Sequence, residues 1–345
     1  MNSNIMIIVI IVVFIALIFA LTNGLHDASS VVATMIACGA ATPLQAIGLA
    51  SFFCLLGALL TGNAVANTIA KIVTLPLEPS LLPVLMAAMA GAVVWNLITW
   101  HFGLPSSSTH ALVGGLIGAV WVSGGPGNVL WGFHELLNGH LTGIMEVCAA
   151  LIISPLLGFG LALILQTVLS IALRNAEITI NSWLKRLQWV MAGLLAYSHG
   201  GNDTQKIMGI ITLALMAVGL LQEQVVPQWV KWLGGIIMFA GTLFGGWSIM
   251  KTLGYGIYDL RPIHSLNSQI ASGSAIVLAT FLGAPVSTTH VVVGTVLGVG
   301  TADRYKMVNW NIGKDILVAW FITIPSVAFV AALCYYPLLW FINLL

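Results

Sequence analysis

Charged side chains are scarce in this chain of 345 residues, because Asp, Glu, Lys and Arg together make up only 6% of it. Soluble domains carry about 25% of these residues. The composition therefore excludes a water-soluble body, a disordered chain and a nucleic-acid-binding surface. The four cysteines form no CxxC pair, and we interpret them as small buried side chains without a redox or zinc site. Apolar residues make up 59% of the chain, which is typical of a protein that crosses a membrane several times.

Long stretches without any charged residue mark where the chain is able to cross lipid. They are residues 1–26, 28–70, 79–134, 147–173, 262–302 and 316–345. One crossing needs about 20 apolar residues, so these stretches have room for roughly eight to twelve crossings. The backbone must be helical there, because lipid offers it no hydrogen-bond partner. We therefore predict an all-α polytopic membrane protein, and we expect residues 4–21 to form a first span and not a signal peptide.

A sequence repeat divides the chain into two halves. Residues 105–118 reappear as residues 285–298, with seven of the fourteen positions identical. Upstream of them, Asn-Gly-Leu-His-Asp at 23–27 corresponds to His-Gly-Gly-Asn-Asp at 199–203. The two motifs follow in the same order at nearly equal offsets, 180 and 176 residues. We therefore predict that the chain consists of two homologous transmembrane repeats.

The basic residues predict how these repeats lie in the membrane. The repeats cover residues 1–171 and 187–345, and the linker at 172–186 carries three basic residues. Basic residues favour the cytoplasmic side, so we predict a cytoplasmic linker in a multi-pass protein of the cell membrane. An odd number of crossings in each repeat then puts the N- and C-termini outside and eight of the eleven basic residues inside. Such inverted-topology repeats, with broken helices near the bilayer midplane, are the plan of many secondary transporters.

Two acids, Asp27 and Asp203, lie at equivalent places in the repeats, inside otherwise apolar sequence. Acids within a membrane are costly and are functional candidates by default. Glycines precede both acids, and we expect them to break the helices and free backbone groups for ions. They are Gly24, Gly200 and Gly201. Tight helix packing through small residues is the alternative. Lys206 lies three residues after Asp203, where it is able to neutralise that acid or to attract an anion.

Each repeat also contains a cluster of hydroxyl side chains after a proline, at residues 106–109 and 287–289. Proline disfavours helix in the residue before it, and Ser or Thr caps the helix that follows. The pattern predicts two re-entrant helical hairpins with the clusters at their tips. A helix N-terminus carries unpaired N–H groups and a partial positive charge. Two such ends that meet at the midplane would bind a tetrahedral oxyanion, and ordinary helix capping is compatible with that role.

Four motifs, in order, resemble the signatures of the inorganic phosphate transporter family, in particular its bacterial low-affinity permeases. They are Asn-Gly-Leu-His-Asp-Ala from residue 23, Leu-Pro-Ser-Ser-Ser-Thr-His-Ala-Leu-Val-Gly from 104, Ser-His-Gly-Gly-Asn-Asp-Thr-Gln-Lys from 198 and Pro-Val-Ser-Thr-Thr-His-Val-Val-Val-Gly from 285. The resemblance covers nearly the whole chain. It implies a cation-coupled symporter of inorganic phosphate, not an enzyme, that works as a homodimer in the lipid membrane.

The resemblance also implies which residues bind phosphate and the coupling cation. The predicted phosphate ligands are Asp27, Ser107, Ser108, Thr109, Asp203, Ser287, Thr288 and Thr289. The predicted coupling-cation residues are Asn23, His26, Asp27, Asn202, Asp203 and Lys206. Many members carry asparagines of a sodium-binding pattern where this chain has His26, Ser30 and Lys206. This departure favours H+ over Na+ as the coupling ion. No other cofactor is expected, and a divalent metal carried together with phosphate stays open.

Three other functions stay open at this stage. The first is a permease for sulfate or another oxyanion, against which the retained pair of acids argues. The second is a phosphate-independent metal-ion carrier built on His26, Asp27, His110 and His290. The third is a membrane-embedded hydrolase with Ser108 or Ser272 as the nucleophile, although duplicated clusters suit a two-sided pathway better. His110 and His290 are candidates for anion binding, for proton coupling or for hydrogen bonds within the core.

Overall fold

The computed structural model describes residues 3–344, whose regular structure is helical apart from one isolated β-bridge between Val73 and Val129. The helices of the first half are α1 Ser3–Ala37, α2 Pro43–Leu60, α3 Ala64–Ala70, α4 Leu81–His101, α5 Ser108–Gly124, α6 Phe133–Leu137 and α7 Gly143–Ala172. A 3-10 turn at Pro126–Asn128 follows α5. Long helices and short connections dominate this half, as the charge-free stretches predict.

The second half begins with the longest helix of the described chain. Its helices are α8 Ile180–Ala217, α9 Gln228–Phe244, α10 Trp247–Lys251, α11 Pro262–Phe281, α12 Thr288–Arg304 and α13 Trp310–Leu344. A π-helical turn at Thr252–Gly256 continues α10, and a 3-10 turn at Tyr305–Met307 follows α12. Residues 173–179 separate α7 from α8, so the second part of the predicted linker is already helical.

The order of the long helices is the same in both halves: two helices, a hairpin and a last helix. In chain order, α1, α2, the α4–α5 hairpin and α7 match α8, α9, the α11–α12 hairpin and α13. Contacts between the halves are reciprocal, because α1 packs on α9 as α8 packs on α2, and α7 packs on α12 as α13 packs on α5. Each half therefore completes the core of the other. The opposite orientation of the halves in the membrane stays a prediction.

The outer surface of the molecule is apolar enough for lipid. Five helices, α1, α2, α4, α7 and α13, have the length and composition to cross a membrane, and the bent pair of α9 and α10 makes a possible sixth. Large apolar side chains point outward from them, and Phe14, Ile152 and Phe321 are 62%, 59% and 78% exposed. Such a surface is stable against lipid and not against water. The prediction of an all-α, multi-pass membrane protein is confirmed.

The helix breaks expected at the glycines before the two acids are wrong. Helices α1 and α8 run without interruption through Gly24, Gly200 and Gly201. A Cβ atom on Gly24 would lie 2.7 Å from the carbonyl oxygen of Met238 in α9, and one on Gly200 would overlap the backbone of Cys54 in α2. These glycines therefore allow close helix crossings, which was the alternative interpretation. An interruption is present instead between α9 and α10, where the chain bends by 63°.

Two helical hairpins lie where the prolines and hydroxyl clusters predict them. The first turns between α4 and α5 and the second between α11 and α12. Ser107 and Ser287 cap the returning helices, since each hydroxyl accepts a hydrogen bond from the backbone N–H three residues later. The two tips touch inside the protein, where the hydroxyl of Thr109 donates to the carbonyl oxygen of Val286 at 2.9 Å.

Candidate functional site

Three buried charges lie together in the interior. Asp27 of α1 and Asp203 and Lys206 of α8 are the only buried Asp, Glu, Lys or Arg residues within 3–344, and each is at most 2% exposed. With the histidines neutral, two carboxylates and one ammonium leave a formal charge of −1. Charged groups are fully buried only when they are paired, and in a membrane they mark substrate and ion pathways. These three residues therefore define the candidate site.

Asp27 receives hydrogen bonds from both hairpin tips. Ser108 of the first hairpin donates to Oδ2 at 2.7 Å, and Thr289 of the second donates to Oδ1 at 2.9 Å. On the same carboxylate, Nδ1 of His26 lies 3.0 Å from Oδ1. The Nε2 atom of His26 is 3.3 Å from the hydroxyl of Thr99 in α4. Because hydrogen bonds to a carboxylate are strong, Asp27 holds both tips against α1.

Lys206 fastens the same two tips to α8. Its ammonium nitrogen lies 2.6 Å from Oδ1 of Asp203 and 2.6 Å from the hydroxyl of Thr109. The third contact, at 2.8 Å, is to the carbonyl oxygen of Val286. An ammonium group has three donors, so each one meets an oxygen. On the other side of Asp203, the amide nitrogen of Asn23 donates to Oδ2 at 3.3 Å and links α1 to α8.

Asn202 joins α8 to the second hairpin. Its amide nitrogen donates to the hydroxyl of Thr280 at 3.0 Å and to the carbonyl of Ala284 at 3.2 Å. Its amide oxygen accepts from the backbone N–H of Val286 at 3.3 Å. The structure thus places this predicted cation residue on the hairpin backbone and not on either carboxylate.

His199 is a site residue that we did not predict. Its Nδ1 lies 3.0 Å from the hydroxyl of Thr288 and 3.7 Å from Oδ2 of Asp203. Within the described chain, its Nε2 and the Oδ1 of Asn23 have no hydrogen-bond partner. The signal for His199 was present in the repeat, because the 176-residue offset aligns it with Asn23.

The hydroxyl residues among the predicted phosphate ligands lie around the buried charges, but their side chains make different hydrogen bonds. Ser108, Thr109 and Thr289 bond to the charged groups directly, and Thr288 bonds to His199. The other two hydroxyls, at residues 107 and 287, cap helices. Helices α5 and α12 both begin at this cluster, so two partial positive charges face it. The cluster is suited to an oxyanion, since hydroxyls, helix N-termini and an ammonium are all donors.

His110 and His290 form a separate pair. Their ring centroids are 4.5 Å apart, and the ring of His290 stacks on that of Trp320 with centroids 3.5 Å apart. Together with Cys148 and Phe321 they line a cavity of about 290 Å³. Over residues 3–344, Nδ1 of His110 and both ring nitrogens of His290 have no hydrogen-bond partner. The hydrogen bonds described for Asp27 and Asp203 come from other groups.

The two serines that were considered as nucleophiles are hydrogen-bonded to other side chains: the hydroxyl of Ser108 donates to Asp27, and that of Ser272 pairs with Thr295. Across the described residues, no group of three or more His, Cys, Asp or Glu side chains is arranged to hold a metal ion.

Comparison with known proteins shows the family of the chain. A model of the phosphate transporter family matches residues 23–331. The chain belongs to this family. It is 39% identical to the probable low-affinity inorganic phosphate transporter of Rhizobium meliloti (strain 1021), over 93% of this chain and 94% of the relative. The protein of the same name from Bacillus subtilis (strain 168) is 38% identical, over 96% of this chain and 98% of the relative. The resemblance inferred from the four motifs is confirmed.

A solved structure shares the fold of this family member. It is described as "The sodium-dependent phosphate transporter", and it superposes with a TM-score of 0.83 at 26% identity. The match covers 98% of this chain and 99% of the other. The names of these relatives point to a transporter and not to an enzyme.

Proposed function

We propose that the protein carries inorganic phosphate across the cytoplasmic membrane by cation-coupled symport. One observation carries the proposal: both hairpin tips meet at the same buried carboxylate, Asp27, with hydroxyls of Ser108 and Thr289 bonded to it. The relatives that are named phosphate transporters support phosphate as the substrate. In this proposal, the tip hydroxyls and the starts of α5 and α12 bind the phosphate oxygens, and the positive charge of Lys206 attracts the anion.

The charges of the site explain why a cation must accompany phosphate. Two unit charges of the same sign 4 Å apart repel by about 4 kcal/mol at an effective dielectric constant of about 20, which is about a thousandfold in affinity. The site already carries a formal −1 from Asp27, Asp203 and Lys206. A proton or a metal cation at the acids removes this repulsion. Uptake of the anion and the cation are therefore thermodynamically linked.

We propose the proton as the coupling ion and Asp27 as the residue that takes it. His26 contacts this carboxylate through Nδ1 and reaches Thr99 through Nε2, so it is placed to pass a proton towards α4. Sodium is the alternative, since the structural relative is described as sodium-dependent. As a further alternative, the transported substrate would be a complex of phosphate with a divalent metal ion.

We propose alternating access because the site is closed on all sides in this structure. Asp27 and Asp203 are 2% and 0% exposed, so phosphate reaches them only when a hairpin tip moves away. In our proposal each repeat, 1–171 or 187–345, opens the site towards one side, because the two are inverted in the membrane. The linker 172–186 would be cytoplasmic, both termini outside, and the protein a homodimer.

Reconstituted uptake tests the proposal. Purified protein in sodium-free vesicles is given labelled phosphate at a fixed external pH, while internal pH, external sodium and external magnesium are varied one at a time. We expect uptake to rise as the interior is made more alkaline, without any need for sodium. If uptake depended strictly on sodium, sodium and not the proton would be the coupling ion. Uptake that depended on neither the pH gradient nor the sodium gradient would refute coupled transport.

A further inference from the structure

The two carboxylates of the site occupy equivalent places in the repeat but have different surroundings. The 176-residue offset that aligns Asp27 with Asp203 also aligns Ser30 with Lys206. The 180-residue offset of the hairpins aligns Thr109 with Thr289 and Ser106 with Val286. If the repeat were followed fully, each acid would face a threonine hydroxyl of the opposite hairpin.

At Asp203, an ammonium group lies between the acid and the opposite hairpin. The nitrogen of Lys206 has three hydrogen-bond partners, all of them oxygen, at 2.6 to 2.8 Å: a carboxylate, a hydroxyl and a backbone carbonyl. Oxygen ligands of these kinds are what hard cations prefer in proteins. The ammonium is 1% exposed, and its ion pair with Asp203 is fully enclosed.

At Asp27, the equivalent contact is direct. The hydroxyl of Thr289 donates straight to Oδ1 at 2.9 Å. Ser30, which stands where the other repeat has the lysine, turns its hydroxyl back to the carbonyl oxygen of Asp27 in its own helix, at 2.7 Å. With the histidines neutral, the structure therefore shows one repeat with a covalently attached cation, Lys206, and one repeat whose acid contacts two hydroxyls and Nδ1 of His26.

We propose that the Lys206 ammonium is a built-in cation that permanently holds one of two equivalent cation positions, so that only the position at Asp27 exchanges its cation during transport. The proposal rests on the proposed symport and concerns its stoichiometry. Lys206 neutralises Asp203 and links both hairpins to α8 without an ion from solution. A chain with serine at both positions would carry one more cation for each phosphate, because both acids would then need a mobile partner.

The test compares the number of coupled cations in the wild-type protein and in Lys206→Ser, which copies the situation at Ser30. In vesicles with the membrane potential clamped at zero, the phosphate gradient at which net flux stops is measured for a series of imposed pH gradients at fixed external pH. Each additional coupled proton raises that limiting phosphate gradient by about tenfold for each tenfold proton gradient. We expect Lys206→Ser to show one more proton than the wild type. An equal number in both proteins would overturn the proposal.

Two further variants make the test independent of how well Lys206→Ser folds. Lys206→Arg keeps a cation at the position, and we expect the wild-type proton number at a lower rate; a higher number would contradict the proposal. Ser30→Lys adds a second attached cation beside Asp27, so we expect exchange of phosphate across the membrane without accumulation driven by the pH gradient. Accumulation by Ser30→Lys at the wild-type gradient would contradict the proposal, whereas a wild type without phosphate uptake would refute the proposed function itself.

Discussion

Replacement of Asp27 by asparagine removes the charge at which the two hairpins meet. One of the two oxygens becomes an N–H donor, which cannot accept from Ser108 at 2.7 Å or from Thr289 at 2.9 Å. A hydrogen bond to a charged group contributes about 1.5–3 kcal/mol, so losing one of them makes the closed state of the site about 10- to 100-fold less populated relative to the open state. If Asp27 also carries the coupling proton, accumulation driven by a pH gradient is lost altogether.

The assay separates these two effects of Asp27→Asn. Exchange of labelled for unlabelled phosphate reports closure, and accumulation under a pH gradient reports coupling, in the same vesicles. We expect slowed exchange and no accumulation. Asp315→Asn is the matched control, because Asp315 is exposed at the start of α13 and we expect wild-type values for it. Accumulation by Asp27→Asn at the wild-type level, with equal amounts of inserted protein, would refute the proposed role of this acid.

Three other predictions concern packing, acid stability and specificity. Gly24→Ala places a Cβ 2.7 Å from a backbone oxygen of α9, and such overpacking costs about 1–3 kcal/mol. We therefore expect the Tm of this variant in detergent to be several degrees below that of the wild type. The control is Gly48→Ala, whose added Cβ would have nothing within 4 Å, and we expect its Tm not to fall. Partial burial raises the pKa of Asp303, but the Tyr258 hydroxyl and the Arg261 guanidinium outweigh it and hold that pKa below its ordinary value of 3.8. A pKa that is lowered in the folded state contributes stability that is present above about pH 4 and is lost as the pH falls through the folded-state pKa. We therefore expect the Tm of Asp303→Asn to decrease less on acidification than the Tm of the wild type. An equal decrease in both proteins would contradict this prediction. Unlabelled sulfate in excess should not reduce uptake of labelled phosphate; strong competition would favour the oxyanion permease.

Local patterns predicted the parts of the fold that depend on short stretches of chain. The charge-free runs indicated long apolar helices, and proline followed by hydroxyl residues indicated the two hairpins with Ser107 and Ser287 as caps. The predicted helix breaks at the glycines before the acids were wrong, because the sequence alone does not distinguish a glycine at a helix break from a glycine at a close helix crossing. Only the position of α9 against α1 shows that Gly24 belongs to a crossing.

The side-chain contacts of the site could not be predicted from the sequence and became visible only in the three-dimensional structure. The repeat indicated that Asp27 and Asp203 are equivalent, and hence that they belong together. It did not show that Lys206 reaches over Thr109 to the backbone of Val286, because those contacts join residues 97 and 80 positions apart in the chain. Nor did it show that Asn202 braces the second hairpin through three hydrogen bonds. Long-range contacts of this kind leave no pattern in a single sequence.

A crystal structure with phosphate bound gives the most direct test, because the proposed mechanism depends on where the anion lies. We predict density for one phosphate between the two hairpin tips, with its oxygens within hydrogen-bond distance of the hydroxyls of Ser108 and Thr289 and with Lys206 still paired to Asp203. Phosphate bound elsewhere, for example in the cavity beside His110 and His290, with the tips unchanged, would contradict the account.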